Sequence, residues 1–139
     1  RGRAMIVMDA NAALAVAMGL DVGDALTLLR DEDEEIIAPT LFTAEVCHAL
    51  SKYVRGGYME VRDAVDCGRD ALSLVDRFVD DSALWVESLS EAVRLDHSSY
   101  DMFYLLLARR ECATLFTLDR KLQDLSSRCG VNCVCSVKI

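Results

Sequence analysis

The chain of 139 residues has the length of one ordinary domain, and with 53% hydrophobic residues it can bury a substantial core. Its net charge of −8 argues against a broad basic surface for nucleic acid, although a bound metal ion can supply positive charge locally. Neither a membrane-length apolar run nor an export signal is found, so we expect a cytoplasmic protein without a membrane segment. We treat residues 1–139 as a single domain and give residues 1–4 no weight, because the natural start could lie at Met5.

Short apolar runs alternate with amphipathic segments along the chain, without a linker or an internal repeat. The predicted strands are 4–8, 36–38, 83–86, 113–118 and 131–137. The predicted helices are 10–18, 22–30, 40–55, 60–78, 90–95, 99–112 and 120–126. Strands that alternate with helices favour a mostly parallel sheet covered on both faces.

Two of the predicted helices carry an apolar stripe at helical spacing, and we expect both stripes to face the core. In the helix 40–55 the stripe consists of Leu41, Val46, Ala49, Leu50 and Val54. In the helix 60–78 it consists of Val61, Val65, Leu72, Val75 and Val79.

The six cysteines are Cys47, Cys67, Cys112, Cys129, Cys133 and Cys135. Without an export signal, buried free thiols are the expected state. The last three lie close together in the sequence, but they lack the four ligands with paired spacing that are typical of a closed zinc site. A metal site or a disulfide there stays open as a minor alternative.

Four carboxylates stand out from the apolar segments around them. Asp9 and Asp119 each follow a predicted strand, and in open parallel sheets functional sites form at the carboxyl ends of strands. Glu45 lies on or beside the apolar stripe of its helix, and Asp101 lies in the first turn of the most apolar helix.

Each of these acids also has a purely structural explanation. Asp9 and Asp119 are suitable helix N-caps, and Asp101 would complete a capping box with Ser98. Glu45 is harder to explain in this way, because a buried glutamate needs a partner or a shifted pKa. His48 could be that partner, but a single E-x-x-H motif does not make a di-iron bundle, which needs the motif twice.

Taken together, the four acids indicate a cation site. Two unit charges roughly 5 Å apart repel by about 3 kcal/mol at an effective dielectric constant of 20, so a cluster of carboxylates needs a cation. Oxygen ligands favour Mg²⁺ or Mn²⁺, which can lower the pKa of a water molecule and stabilise charge on a phosphate. The chemistry that follows is metal-assisted phosphodiester hydrolysis.

At these residues the chain resembles the PIN-domain ribonucleases, especially small single-domain toxins of the VapC type. The resemblance lies in four segments in the family's order: MIVMDANAAL, APTLFTAEVCHALSKY, SSYDMFYLLLARR and TLFTLDRKL. It implies an α/β fold, a three-layer α/β/α sandwich with a mostly parallel five-stranded sheet of order 3-2-1-4-5. It also implies that Asp9, Glu45 and Asp101 form the core metal-binding set for one or two Mg²⁺ or Mn²⁺ ions. Asp119 would support a second ion or its water shell, and Thr117 and Asn11 would orient acids or waters.

The activity that the resemblance implies is that of a metal-dependent endoribonuclease, the toxin of a type II toxin–antitoxin pair. Such toxins form homodimers and are inhibited by a cognate antitoxin protein. Because the chain is acidic, the RNA substrate would be held by local positive charge. The candidate substrate-binding residues are Lys52, Arg55, Arg120 and Lys121.

Two other functions are compatible with parts of the pattern. A haloacid-dehalogenase-like phosphatase also places an aspartate after its first strand. That family has a D-x-D motif at this position, whereas the sequence here is Asp9-Ala10-Asn11. A non-enzymatic PIN-fold module that binds RNA or protein is the second alternative. Such modules usually lose one or more acids, whereas all four are present here.

Overall fold

The computed structural model describes residues 4–28 and 33–134, and for Leu28 it describes the backbone alone. The strands are β1 (Met5–Met8), β2 (Glu35–Pro39), β3 (Arg77–Val79) and β4 (Thr114–Phe116). The helices are α1 (Ala10–Ala17), α2 (Asp21–Leu28), α3 (Leu41–Arg55), α4 (Val61–Ser73), α5 (Trp85–Leu95), α6 (Ser99–Glu111) and α7 (Arg120–Arg128). A short 3-10 helix, Asp81–Ala83, precedes α5. None of the helices within these described ranges is long and apolar enough to cross a membrane.

The strands within the described ranges form one parallel sheet of order β3-β2-β1-β4. Its centre is β1, where Ile6 pairs with Ile36 of β2 on one side and with Thr114 of β4 on the other. Two hydrophobic clusters cover the two faces of the sheet because side chains alternate along each strand. Ile6 packs with α1, α2, α3 and α4, whereas Val7 packs with α5, α6 and α7. The predicted three-layer α/β/α sandwich is therefore confirmed.

The position predicted for a fifth strand, beside β4, is held by a single parallel bridge between Leu115 and Cys133. The Leu115 N–H donates to the Asn132 carbonyl at 2.8 Å, and the Val134 N–H donates to the Leu115 carbonyl at 3.1 Å. The described part of the chain therefore has four strands rather than five. The last residues of the predicted strand 131–137 lie outside the described residues.

The predicted helix 60–78 is too long, because α4 ends at Ser73 and β3 begins at Arg77. Two hydrogen bonds of Asp76 explain why the chain leaves the helix and forms a strand here. Its N–H donates to the Ile36 carbonyl, and its side chain accepts from the Ile36 N–H, both at 2.8 Å. These bonds place β3 beside β2. The side chains of Arg77 and Phe78 stay exposed, so this strand lacks the apolar run that would have identified it.

The predicted strand 83–86 is wrong, and these residues instead span the end of the 3-10 helix and the start of α5. Asp80 caps the 3-10 helix by accepting from the Ser82 N–H at 2.8 Å. Of the apolar run, Leu84 is buried, whereas Trp85 and Val86 are exposed. A short apolar run does not distinguish a strand from a helix by periodicity alone.

The apolar stripe predicted for the helix 60–78 faces the core only in part: Val75 is buried and Leu72 packs against the core, but the first two valines do not. Val61 and Val65 are 64% and 46% exposed, and the residues that α4 buries are small: Ala64, Gly68 and Ala71. Small side chains allow α4 to approach α3 closely, since a Cβ added at Gly68 would lie 3.1 Å from Leu50. The larger side chains of α4 therefore lie along an outward-facing groove.

The stripe predicted for α3 is largely correct. Val46 and Leu50 are buried as expected, together with Phe42, whereas Leu41, Ala49 and Val54 are half-buried. The expectation of buried thiols is wrong for Cys47 and Cys112, which are exposed. No disulfide links the cysteines of the described ranges, and Cys135 lies outside them.

Candidate active site

Four carboxylates from four parts of the chain line one cavity of about 190 Å³ at the carboxyl edge of the sheet. They are Asp9, Glu45, Asp101 and Asp119. Neighbouring strands deliver the first and the last, because Asp9 follows β1 and Asp119 comes shortly after β4. Glu45 comes from α3 and Asp101 from α6, which cover opposite faces of the sheet. The other lining residues are Ala10, Asn11, His48, Ala49, Lys52 and Tyr104.

Asp9 is buried and is held by two donors. Its Oδ1 accepts from the Ala12 N–H at 2.9 Å, which caps α1, and its Oδ2 accepts from the Thr117 hydroxyl. Burial raises the pKa of Asp9 to about 7; the two hydrogen bonds oppose this rise, and the charges of Asp101 and Glu45 add to it. Asp9 is thus a helix cap whose negative charge is poorly stabilised by the metal-free protein.

Thr117 connects Asp9 to Asp119. Its hydroxyl donates to Asp9 and accepts from the Asp119 N–H at 3.1 Å. The Asp119 Oδ1 accepts from the N–H groups of Lys121 and Leu122, at 2.9 and 3.2 Å, so Asp119 is the N-cap of α7. Each of the two aspartates that follow strands therefore caps a helix and also lines the acidic cavity.

Glu45 is half-buried, and its partner is Tyr104 of α6. The Tyr104 hydroxyl donates to Glu45 Oε1 at 2.5 Å. Burial raises the pKa of Glu45; the Tyr104 hydrogen bond opposes this rise, and the charges of Asp101 and Asp81 add to it. His48, which the sequence suggested as a partner, lines the same cavity.

Asp101 is paired with His97, whose Nε2 lies 2.8 Å from Asp101 Oδ2. Burial raises the pKa of Asp101, the hydrogen bond from His97 opposes this rise, and the charge of Asp119 adds to it. The capping box considered for Ser98 and Asp101 does not form, because the Ser98 side chain makes no cap bond. The last residues before α6 bring the imidazole to Asp101 instead.

The donor set fits a hydrated Mg²⁺ or Mn²⁺ ion better than a closed cage. Within residues 4–28 and 33–134, no three His, Cys, Asp or Glu side chains are close enough to hold a metal ion directly. Mg²⁺ keeps several waters and takes only one or two carboxylates, so it does not need such a group. The cavity of about 190 Å³ is large compared with the roughly 30 Å³ that a water molecule occupies. Its carboxylates also raise one another's pKa, which a cation would relieve.

The four cations predicted to bind substrate lie in three different places. Lys52 lines the acidic cavity. Arg120 and Lys121 are exposed at the start of α7, next to Asp119. Arg55, also on α3, lines the apolar groove between α3 and α4 and not the acidic cavity.

The sequence pattern alone did not identify Tyr104 or His97 as partners of the site. One signal could have found both residues. That signal is their distance from Asp101 in the sequence: Tyr104 follows it by three positions, which puts these two side chains near one face of a helix, and His97 precedes it by four, just before the predicted helix begins. Tyr104 is also the one hydroxyl in the apolar run 102–108.

A parallel α/β sandwich with carboxylates gathered at one edge of the sheet is the architecture of a known class of protein. The PIN domain model matches residues 6–127, and the chain belongs to the PIN domain family. PIN domains are generally nucleases, and they typically use divalent metal ions. This membership sets aside the haloacid-dehalogenase-like alternative.

Two solved structures have the same fold. PAE2754 from Pyrobaculum aerophilum is 27% identical, with a TM-score of 0.72, and the match covers 94% of this chain and 84% of that one. VapBC2 from Rickettsia felis, solved bound to a DNA fragment from its promoter, is 16% identical with a TM-score of 0.66, and the match covers 93% and 96% of the two chains. No curated protein sequence matches this chain significantly.

Proposed function

We propose that the chain is a metal-dependent endoribonuclease that hydrolyses RNA phosphodiester bonds, and that it is the toxin of a type II toxin–antitoxin pair. The observation that carries the proposal is the common cavity of Asp9, Glu45, Asp101 and Asp119 in a chain of the PIN domain family. Four acids around one cavity are costly to keep together unless a cation joins them.

In this proposal Asp9, Glu45 and Asp101 hold Mg²⁺ or Mn²⁺, and Asp119 supports a second ion or the surrounding water. The ion, when bound, supplies a more acidic water molecule and stabilises negative charge on the phosphate. Thr117 fixes one oxygen of Asp9 through its hydroxyl. Asn11 lines the cavity, where its amide can orient water.

The substrate we propose is RNA in single-stranded or looped form, because only unstacked nucleotides can reach into a cavity at the edge of a sheet. Lys52, Arg120 and Lys121 provide positive charge in or beside the acidic cavity. Arg55 faces the apolar groove, so its position gives less support to an RNA-binding role.

The test is cleavage of total RNA by purified protein, with and without Mg²⁺ or Mn²⁺, mapped by sequencing. We expect cleavage that requires the metal and is lost in Asp9→Asn. The exposed acid Asp63 lies outside the cavity, and Asp63→Asn serves as the matched control that should cleave normally. Unchanged cleavage by Asp9→Asn would refute the site assignment.

The alternative is a non-enzymatic PIN module, and one observation favours it. The side chains described by the structure contain no ready-made group of three metal ligands. Calorimetric titration with Mn²⁺ separates the two functions. The nuclease should bind Mn²⁺ at or below millimolar concentrations, whereas absence of binding there would favour the module.

An apolar groove supports an antitoxin as the partner. The groove has a volume of about 510 Å³ and runs between α3 and α4, with Val61 and Val65 largely exposed along it. Helix α3 separates this groove from the acidic cavity, so a partner bound in the groove lies next to the site. Arg55 and Arg69 also line the groove, which favours a helical antitoxin segment with acidic side chains.

The antitoxin can be sought in the neighbouring reading frame and co-purified with this chain. We expect Val65→Glu to weaken the complex. The matched control is Leu20→Glu, which places the same charge on an exposed apolar position outside the groove. Equal retention of both variants would contradict docking in the groove.

We also propose a homodimer. The supporting observation is the exposure of Trp85, Leu89 and Val93 on α5, at 54%, 54% and 75%. Exposed apolar side chains at helical spacing indicate a protein contact. Sedimentation should show a dimer that Leu89→Glu converts to a monomer, and an unchanged sedimentation coefficient would contradict this face.

A further inference from the structure

Tyr104 is a buried polar residue within an apolar stretch of α6. It is 1% exposed, and its neighbours Leu105, Leu106 and Leu107 are all buried. Yet Tyr104 lines the acidic cavity together with Glu45. Its ring is part of the core, whereas its hydroxyl lies at the boundary between the core and the site.

Among the residues that the structure describes, the hydroxyl makes one hydrogen bond, which joins helices on the two faces of the sheet. Tyr104 on α6 donates to Glu45 Oε1 on α3 at 2.5 Å. A phenol that donates its only proton to a carboxylate oxygen fixes the position of that oxygen.

A glutamate needs such a donor more than an aspartate does. Its longer side chain has more rotamers, and ordering it costs conformational entropy each time that a ligand binds. Two of the other carboxylates, Asp9 and Asp119, are anchored close to their own backbone because they cap helices, and Asp101 is held by His97 four residues away. Glu45 is anchored by Tyr104 across 59 residues of sequence.

We propose that Tyr104 is a positioning residue: its hydroxyl fixes one oxygen of Glu45 and leaves the other oxygen to a divalent cation in the cavity. This inference rests on the proposed metal-dependent function. Partners that orient metal-binding carboxylates typically contribute about 10–100-fold in metal affinity. Tyr104 therefore raises the affinity for the cation without touching it.

The experiment is calorimetric titration of the metal-free protein with Mn²⁺ in four forms: wild type, Tyr104→Phe, Glu45→Ala and the double variant. We expect Tyr104→Phe to weaken binding by about 10–100-fold. In the Glu45→Ala background the same change should have no further effect, because Tyr104 acts only through Glu45. A merely structural role would weaken binding equally in both backgrounds and would overturn the proposal.

Tyr100→Phe is the matched control. Tyr100 lies on the same helix next to Asp101 but is 62% exposed, so its variant should bind Mn²⁺ like wild type. If wild type binds Mn²⁺ and Tyr104→Phe binds it equally well, the role of Tyr104 is refuted and the proposed nuclease stands. If wild type itself does not bind Mn²⁺, both the nuclease and the positioning role fail.

A measurement on the wild type covers the case in which Tyr104→Phe does not fold. The hydroxyl proton of a buried, hydrogen-bonded tyrosine can be followed by NMR during titration with diamagnetic Mg²⁺. We expect the Tyr104 hydroxyl signal to persist and shift as Mg²⁺ saturates the protein. Its disappearance at saturation would mean that Glu45 leaves Tyr104 to bind the ion, which would overturn the proposal.

Discussion

At the scale of single residues, each acid of the cavity is held by a different kind of donor. Asp9 has a backbone N–H and a threonine, Glu45 a phenol, Asp101 an imidazole, and Asp119 two backbone N–H groups. These donors do not neutralise the cluster, because the pKa values of Asp9, Glu45 and Asp101 are all raised, chiefly by burial. The metal-free protein therefore contains acids that it would be more stable without.

The first prediction concerns Asp9 and pH. Its pKa is near 3.8 in the unfolded chain and about 7 in the folded protein, so between these values the folded state binds more protons. The free energy of unfolding of the metal-free protein should then fall as the pH rises through this window, by about 1.4 kcal/mol for each pKa unit. Asp9→Asn should remove much of this fall and stabilise the protein at pH 8, with a smaller effect at pH 5.

Urea denaturation of the metal-free protein at pH 5 and pH 8 measures this effect. Asp63→Asn, on an exposed acid, should leave the pH dependence as it is. Destabilisation by Asp9→Asn at pH 8 would contradict the burial of an unstabilised charge. The same measurement serves as a folding control for the cleavage test. If Asp9→Asn is more stable than wild type, its loss of cleavage does not result from unfolding.

The second prediction concerns Thr117, which is buried between Asp9 and Asp119. Thr117→Val keeps the shape but removes a donor from a buried carboxylate, which should cost about 1–3 kcal/mol of stability. The loss should be larger at pH 8 than at pH 5, because the bond to charged Asp9 is the stronger one. Chemical denaturation at both pH values measures it, and Thr43→Val, on an exposed threonine, is the control.

At the scale of helices, the layer that holds Glu45 depends on the close packing of α4 on α3 and of α2 on α1. Helix α3 presents Glu45 and Lys52 to the cavity and Val46 and Leu50 to the groove, so it forms a wall of both. On the same face of the sheet, α2 crosses α1 so closely that a Cβ at Gly23 would lie 2.1 Å from the Ala15 carbonyl oxygen. That carbonyl is backbone and cannot move aside as a side chain can.

The third prediction is therefore that Gly23→Ala destabilises the protein by roughly 1–3 kcal/mol or more, although alanine is the better helix former by about 1 kcal/mol. Gly68→Ala is the comparison, since its new Cβ would meet only the mobile end of Leu50 at 3.1 Å. Thermal unfolding of both variants measures the difference. A smaller loss for Gly23→Ala than for Gly68→Ala would contradict the packing of α1 on α2.

At the scale of the whole molecule, the negative net charge of the protein opposes binding of the RNA that we propose as its substrate. The net charge of the chain is −8, and four of its acids line the cavity where we propose that a polyanion binds. A divalent cation and a few local lysines and arginines must then overcome general repulsion. The charges on α3 provide the means to test this, because Lys52 lines the acidic cavity, whereas Arg55 of the same helix lines the apolar groove.

The fourth prediction uses this pair of cations. Lys52→Ala should weaken RNA binding and reduce the salt dependence of log K by about 0.7, the value for one phosphate contact on a single strand. Arg55→Ala should leave that slope unchanged, because its side chain faces the apolar groove. Binding titrations with catalytically inactive Asp9→Asn protein across salt concentrations measure both slopes. Equal effects of the two variants would contradict a path for RNA over the cavity.

The sequence predicted some elements better than others, and local chemistry explains the difference. Strand β1 and helices α1 and α3 were predicted almost to the residue because their apolar runs end at clear signals such as Asp9 and Gly56. Strand β3 was missed because its side chains are exposed and its position depends on bonds between Asp76 and Ile36, far apart in the sequence. No local pattern contains that information.

The sequence by itself predicted the fold class and singled out the four acids, because both depend on short-range features. Apolar segments of strand and helix type alternate along the chain, and four of these segments contain a carboxylate or are followed by one. Only the tertiary structure decided which group holds each acid and whether each cation of α3 lines the acidic cavity or the groove. It also decided that the valines of α4 lie in a groove rather than in the core. The reason is physical. A helix or strand propensity depends on neighbours along the chain, whereas the pairing of Tyr104 with Glu45 depends on two helices that meet only after the sheet has formed.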